Sequence, residues 1–416
     1  MDILRFFTAG NVDDGKSTLI GRLLYDSQSI STDIIETLTR QSKNKGKDTN
    51  LDLALLTDGL RAEREQGITI DVAYKFFNTE KRKFIIADTP GHIQYTRNMF
   101  TGASTADLAI ILIDIVHGIT EQTCRHSIIS SILGIPNVLI CINKMDLVGY
   151  SEETYNQVVE EYKIFAKKLN LNHVSYIPVS ALEGENIINP SEKLPWYEGE
   201  SLLSYLENVP TKRNTETEQS RFQIQYVSNE IHPLTKEITR RFTGKILSGQ
   251  YRVGDRVTVL PEAISTSISQ LDMYQNVVSE AKQGDIVAFQ LADDIQASRG
   301  NSIVLENLET NIAREFEATI CWMDNTSFRL GQKLILHHLS QTTKAKIENI
   351  EYKIDIHSYT PKYDNTDKIE LNEICRVKIR TADSVVVDYF QTNRQTGIFI
   401  LIDEQSHHTV AAGTIG

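Results

Sequence analysis

The chain has 416 residues, 40% of them hydrophobic and 24% charged, with a formal net charge of −12. This is the composition of a globular chain with room for about three domains. It contains no apolar run of membrane-spanning length, and its acidity argues against sequence-independent binding to nucleic acid. The N-terminus lacks the basic and apolar regions of a signal peptide, so a cytoplasmic location is expected. The four cysteines, Cys124, Cys141, Cys321 and Cys375, show no C-x-x-C spacing. They read as buried free thiols in a reducing compartment rather than as a metal site or disulfides.

Residues 3–9 form an apolar run of strand length, and residues 17–25 carry Leu19, Ile20, Leu23 and Leu24 at helical spacing. Between them Gly10, Asn11, Val12, Asp13, Asp14, Gly15, Lys16, Ser17 and Thr18 fit the phosphate-loop pattern G-x-x-x-x-G-K-[ST]. Glycines let successive backbone N–H groups turn inward toward phosphate, and the following helix adds the positive end of its dipole. Lys16 is placed to reach the terminal phosphates and the Ser17 hydroxyl to ligate Mg²⁺. Residues 26–67 are long and polar, which points to a functional element rather than a plain connection. They lead into Ile68, Thr69 and Ile70, where Thr69 sits as a switch-loop hydroxyl would, offered to Mg²⁺.

A second strand over 83–87 ends at Asp88, Thr89, Pro90, Gly91 and His92. An Asp at a strand end can hold Mg²⁺ through a water. Gly91 offers a γ-phosphate an N–H and a pivot, and His92 then lies nearest the attacking water. Residues 109–114 and 138–143 are continuous apolar runs, as in parallel strands covered on both faces, separated by a helical stretch over 121–133. The second run ends in Asn143, Lys144, Met145 and Asp146, an N-K-x-D element. Guanine presents N1–H and N2–H₂ on one edge, and the Asp146 carboxylate accepts both, a pair that adenine does not offer. Residues 176–180 read as another strand, ending in the Ser180, Ala181 and Leu182 loop, which would donate a backbone N–H to guanine O6. Each tetrapeptide alone is a weak signal. In this order, each at a strand end, they specify a guanine-nucleotide site at the carboxyl edge of a parallel sheet.

Residues 201–207 read as a short helix closing a first domain over 1–210, and residues 211–219 as a linker. Beyond it, runs at 222–227, 242–246, 256–260 and 286–291 alternate with glycine turns, which specifies a small β-barrel over 220–308. A second all-β unit is expected over 309–416. His337, His338, His407 and His408 lack metal-ligand company and read as polar strand residues.

These motifs are similar to those of the translation-factor superfamily of GTPases, an α/β P-loop domain followed by two all-β barrels. Within it the chain resembles the GTPase-subunit family of bacterial sulfate adenylyltransferases. The markers are Asp13 to Thr18, the stretch 55–74, residues 94–99 and 101–107, Pro195, Trp196 and Tyr197, Arg299 and Gly300, and residues 392–397. The resemblance implies a GTP- and Mg²⁺-dependent subunit that drives synthesis of adenosine 5′-phosphosulfate and pyrophosphate from ATP and sulfate. The adenylyl transfer itself would lie on a separate small subunit in a heterodimer. It implies that His92 orients the attacking water, that Val12 and Ile68 gate it, and that neither nucleic acid nor membrane is a partner. Ile93 departs from the residue the family more often has, as does the segment 228–240 from its usual pattern, and no fused kinase domain is expected. The competing expectation is a tRNA-delivering elongation factor, which the Asp13-Asp14 pair and the 58–74 stretch disfavour.

Overall fold

The computed structural model describes residues 2–27, 53, 71–91, 96–103, 105–169, 171, 173–211, 219–231, 238–274, 276–356 and 358–416. The chain divides into two compact units, 1–213 with 356–360, and 214–355 with 361–416.

The first unit is built on a six-stranded sheet. Its strands are β1 (Asp2–Ala9), β2 (Ala73–Asn78), β3 (Arg82–Asp88), β4 (Leu108–Asp114), β5 (Asn137–Asn143) and β6 (His173–Pro178). The order is β2-β3-β1-β4-β5-β6, with only β2 antiparallel to its neighbour. β4 and β5 are buried at every residue, which is why they read as unbroken apolar runs. From β1 the chain builds outward to β2 and β3 and then crosses to β4 on the other side. The loop after β1 therefore sits where the strand order reverses, the crevice in which open α/β sheets take ligands.

Five helices accompany the sheet among the described residues: α1 (Lys16–Asp26), α2 (Thr96–Ala103), α3 (Glu121–Ile132), α4 (Glu152–Ala166) and α5 (Leu202–Asn208). α1 lays Leu19, Ile20, Leu23 and Leu24 against Leu4, Phe6, Ile110 and Leu112 of the sheet. At about 1.5–3 kcal/mol per buried aliphatic side chain, this face fixes the helix, and with it the phosphate loop, to the sheet. α3 starts at a reciprocal Thr120/Thr123 capping box. α4 starts at Ser151, whose side chain accepts from Thr154 N–H, and buries Tyr155, Val158, Val159, Tyr162 and Phe165. Trp196 donates to Tyr150 O at 2.9 Å and packs on Tyr155 with ring centroids 5.1 Å apart. The Pro195–Tyr197 marker is thus a brace for the end of the domain rather than part of a ligand site.

The second unit holds two closed six-stranded barrels. The first runs Arg256–Leu260, Ser302–Leu305, Arg221–Gln223, Ile238–Ser248, Ile286–Leu291 and Ile264–Met273, which pairs back with Arg256–Leu260. Its core stacks Phe222 on Phe289 at 4.1 Å. The second runs Leu334–His338, Ile398–Asp403, Thr409–Ile415, Ile312–Trp322, Ile374–Val386 and Gln341–Ile354, which closes on Leu334–His338. Closure leaves neither barrel an open edge among these strands.

Three details differ from the sequence reading. The run 222–227 is broken at Ile224 and Gln225. Ile224 N–H donates to Asn301 O, and pairing resumes with Tyr226 opposite Thr243. β6 ends at Pro178, so Ser180 lies in the following loop, bridged to Glu185. Of the four histidines, His407, at φ 57°, and His408 lie in the turn between Ile398–Asp403 and Thr409–Ile415 rather than in a strand, and His338 is buried with Nε2–H donating to Thr396 O at 2.6 Å.

Candidate guanine-nucleotide site

The motifs converge because of strand register. Thr8, at the end of β1, pairs with Asp88, and Asp114 pairs with Asn143. Four strand ends therefore deliver the phosphate loop, Asp88, Asp114 and Asn143 to one edge of the sheet.

The loop from Gly10 to Gly15 curls on itself. Asp14 Oδ2 accepts Asn11 N–H at 2.6 Å, and Asn11 Oδ1 accepts Val12 N–H at 2.9 Å. Asp13 takes φ 72° and Gly15 φ 90°. At Gly15 a Cβ would lie 2.4 Å from Asn143 Nδ2, so both backbone hand and close approach require glycine there. Lys16, Ser17 and Thr18 form the first turn of α1, which contains no acidic residue. That leaves the helix N-terminus electropositive, as an anion site needs.

Lys16 Nζ stands 3.0 Å from Asp88 Oδ1, with side chains 7% and 1% exposed. Thr89 Oγ1 donates to Thr8 O at 2.6 Å and pins the turn that follows β3, which continues through the buried Pro90. Gly91 approaches the phosphate loop so closely that a Cβ would meet Gly10 O at 2.4 Å. Its carbonyl accepts Gln122 Nε2–H at 2.9 Å. Ser17 and Asp88 offer a hydroxyl and a carboxylate, hard oxygen donors that suit Mg²⁺. That ion takes one or two protein oxygens and completes its shell with phosphate and water. His92, Ile68 and Thr69 lie outside the described residues, as does Ile93.

On the base side, Asn143 joins three loops. Its Nδ2 donates to Asp14 O at 2.7 Å and its Oδ1 accepts Ala181 N–H at 2.9 Å. Lys144 follows with φ 65°, and Met145 and Asp146 open a single 3-10 turn, Met145–Val148, with Met145 buried. Ser180 Oγ donates to Asp146 Oδ1 at 2.5 Å, which orients the carboxylate. Arg22 of α1 holds the same loop from behind, donating to Ala181 O and, at 2.7 Å, to Leu182 O. Leu182 itself is exposed. Two residues at the site carry no motif signature: Asp114 and Gln122. Both are revealed only by register and packing.

Asp14 is 3% exposed. Burial, aided by the nearby Asp114 charge, pushes its carboxyl from 3.8 to about 6, against the opposing pull of Asn11 N–H, Lys144 and His117. A carboxyl raised in the folded state favours folding when protonated. Its contribution is complete below the unfolded value and lost as pH rises through about 6. Asp14→Asn keeps an acceptor for Asn11 N–H and cannot ionise. Its stability relative to the parent chain is expected to improve by about 2 kcal/mol between pH 4 and pH 8. Urea denaturation at the two pH values measures this, and a pH-independent difference would refute it.

A phosphate loop, an aspartate at the next strand end and an N-K-x-D turn on one sheet edge, followed by two barrels, define a GTP-binding protein of the elongation-factor type. Residues 1–247 match the elongation factor Tu GTP binding domain, and residues 315–416 the GTP-eEF1A C-terminal domain-like family. The S. cerevisiae Ski7 GTPase-like domain, solved with GDP and inorganic phosphate, shares the fold. It is 19% identical, with a TM-score of 0.53 over 100% of this chain and 97% of its own. Among curated relatives, sulfate adenylyltransferase subunit 1 of Saccharophagus degradans is 44% identical over 100% of this chain and 87% of its own length. The Bacteroides fragilis subunit 1 is also 44% identical, over 100% and 86%. The bifunctional enzyme CysN/CysC of Mycobacterium tuberculosis is 47% identical over 99% of this chain and 67% of its own. The chain belongs to the sulfate adenylyltransferase subunit 1 family, within the elongation factor Tu-like GTP-binding proteins.

Proposed function

We propose that this chain is the GTP-hydrolysing subunit of a sulfate adenylyltransferase, acting in the cytoplasm with a separate small subunit that transfers the adenylyl group. The observation that carries the reading is the convergence of the Asp88–Gly91 turn, the N-K-x-D turn and the Ser180–Leu182 loop on one phosphate loop, in a chain related over its full length to that subunit family. The coupling has a chemical motive. Sulfate is a poor nucleophile and the phosphosulfate anhydride is high in energy, so the unaided equilibrium lies toward ATP. GTP turnover can draw it forward only if the GTP- and GDP-bound states engage the partner with different affinities.

In this reading the loop N–H groups, the α1 N-terminus and Lys16 bind the phosphates. Ser17, Thr69 and, through water, Asp88 would hold Mg²⁺, which neutralises charge on the β- and γ-phosphates when bound. His92 orients the attacking water, Val12 and Ile68 screen it, and Gly91 offers its N–H to the γ-phosphate. Asp146 accepts guanine N1–H and N2–H₂. Asp146→Asn replaces an acceptor with a donor. It is expected to weaken GTP binding by about 10- to 100-fold and to favour xanthosine triphosphate, whose C2 carbonyl accepts that donor. Competition binding reads the outcome, and an unchanged preference would remove Asp146 from the base site.

The decisive experiment is co-expression with a candidate small subunit and an assay of phosphosulfate formation with and without GTP. GTP-stimulated synthesis supports the proposal. Synthesis indifferent to GTP, or none at all, refutes it. Tight binding of aminoacyl-tRNA would instead favour a translation factor.

A further inference from the structure

Asp114 belongs to none of the nucleotide motifs, yet it stands at their centre. It ends β4, is 2% exposed, and lies in register with Asn143 on β5. Its Oδ1 accepts Val116 N–H at 2.8 Å. Its Oδ2 faces Lys144 Nζ at 2.7 Å and His117 Nδ1 at 3.1 Å. Lys144 is the second residue of the N-K-x-D turn and holds a left-handed backbone, φ 65°. That conformation costs a side-chain-bearing residue free energy, so it persists only where surroundings enforce it. On one side Asn143 ties the phosphate loop to the Ser180–Leu182 loop. On the other, Asp146 is mounted on the 3-10 turn that Lys144 opens. Lys144 is thus the joint between the phosphate and base halves of the site, and Asp114 grips the far end of its side chain.

We propose that Asp114 is a positioning residue of the guanine-nucleotide site. By pairing with the Lys144 ammonium it holds the left-handed joint closed and so slows nucleotide release. Two further observations are consistent with the pair serving the loop. Burial pushes the Asp114 carboxyl up, but hydrogen bonds from Lys144 and Val116 N–H, and the charges of Lys144 and His117, more than offset it and hold it below the ordinary carboxylate range. The Asp114 charge also reaches Asp14 within the phosphate loop. The inference rests on the guanine-nucleotide reading of the site.

The test is release of a fluorescent GDP analogue from the full-length chain, followed by stopped flow. Asp114→Asn is expected to speed release about tenfold. Lys144→Gln should do the same, and the double variant should be no faster than either single one. Unchanged release in Asp114→Asn, or effects that multiply in the double variant, would overturn the assignment. If Asp114→Asn does not fold, Lys144→Arg, which can keep the ion pair, should release more slowly than Lys144→Gln; equal acceleration in both would overturn it. Failure of the unaltered chain to bind GDP would overturn the guanine reading and this assignment with it, whereas GDP binding with parental release in Asp114→Asn overturns the assignment alone.

Discussion

Lys16→Ala is expected to weaken GTP binding by about 100-fold or more and to destabilise the first unit at the same time. The two effects share one cause. Lys16 Nζ and Asp88 Oδ1 face each other at 3.0 Å with almost no solvent access. Truncating one partner of a buried ion pair leaves the other charge without it, a change that costs about 3–5 kcal/mol. The phosphates simultaneously lose the cation nearest the helix N-terminus, and each tenfold of affinity corresponds to about 1.4 kcal/mol. Lys16→Met preserves the aliphatic shaft and separates packing from charge: it should recover little binding, because charge is what phosphate needs. Isothermal titration with GTP and a thermal melt of each variant measure the pair of effects. Binding within threefold of the parent chain in Lys16→Ala would mean that this loop does not hold the phosphates.

The site was legible in the sequence to the extent that its residues are neighbours along the chain. The phosphate loop, the N-K-x-D turn and the Asp88–Gly91 turn are each local, and their chemistry is readable from residue type and spacing. Asp114 and Gln122 were not, because their roles arise from contacts across space. Asp114 matters because β4 pairs with β5 in a register that sets it opposite Asn143. Gln122 matters because α3 packs beside Gly91. α4 illustrates an element whose signals are all present: Ser151 as cap, Glu152 and Glu153 in the first turn, and Tyr155, Val158, Val159 and Tyr162 along one face. β2, by contrast, is a half-exposed edge strand with Phe76 facing solvent, and its alternation is too weak to announce it. In the barrels, individual strands such as Arg256–Leu260 and Ile286–Leu291 are readable from alternation, but the order in which they close is not. Strand pairing depends on partners tens of residues away, and alternation carries no record of them.

The markers in the second barrel acquire their meaning only in three dimensions, and they yield the other large expected effect. Arg221 of the first barrel and Asp388 of the second form a bidentate ion pair, Nε to Oδ2 and Nη2 to Oδ1, both at 2.9 Å. Their side chains are 2% and 5% exposed. Thr396 Oγ1 donates to Asp388 Oδ2 at 2.6 Å, and Asn393 Nδ2 to Ser248 Oγ at 2.9 Å. Asn393 and Thr396 of the 392–397 stretch therefore lie in a buried polar seam between two barrels of one unit. At Gly300 an added Cβ would come within 3.1 Å of Gln341 Cα, and φ is 96°, so the Arg299–Gly300 marker serves the same seam. Asp388→Ala is expected to cost about 3–5 kcal/mol, because it strands the Arg221 guanidinium away from water without its carboxylate. Asp388→Asn should cost less, since one acceptor oxygen survives. Arg221→Met combined with Asp388→Leu should recover much of the loss of either single truncation, because an apolar pair has no charge left to desolvate. Urea denaturation of these variants and of the two component single variants separates these cases. A cost below about 1 kcal/mol for Asp388→Ala would place this pair with solvent-screened surface bridges and remove the seam as the element that joins the barrels. GTP affinity should be retained throughout, since every residue assigned to the nucleotide lies in the other unit, so lost binding at full stability would contradict that assignment.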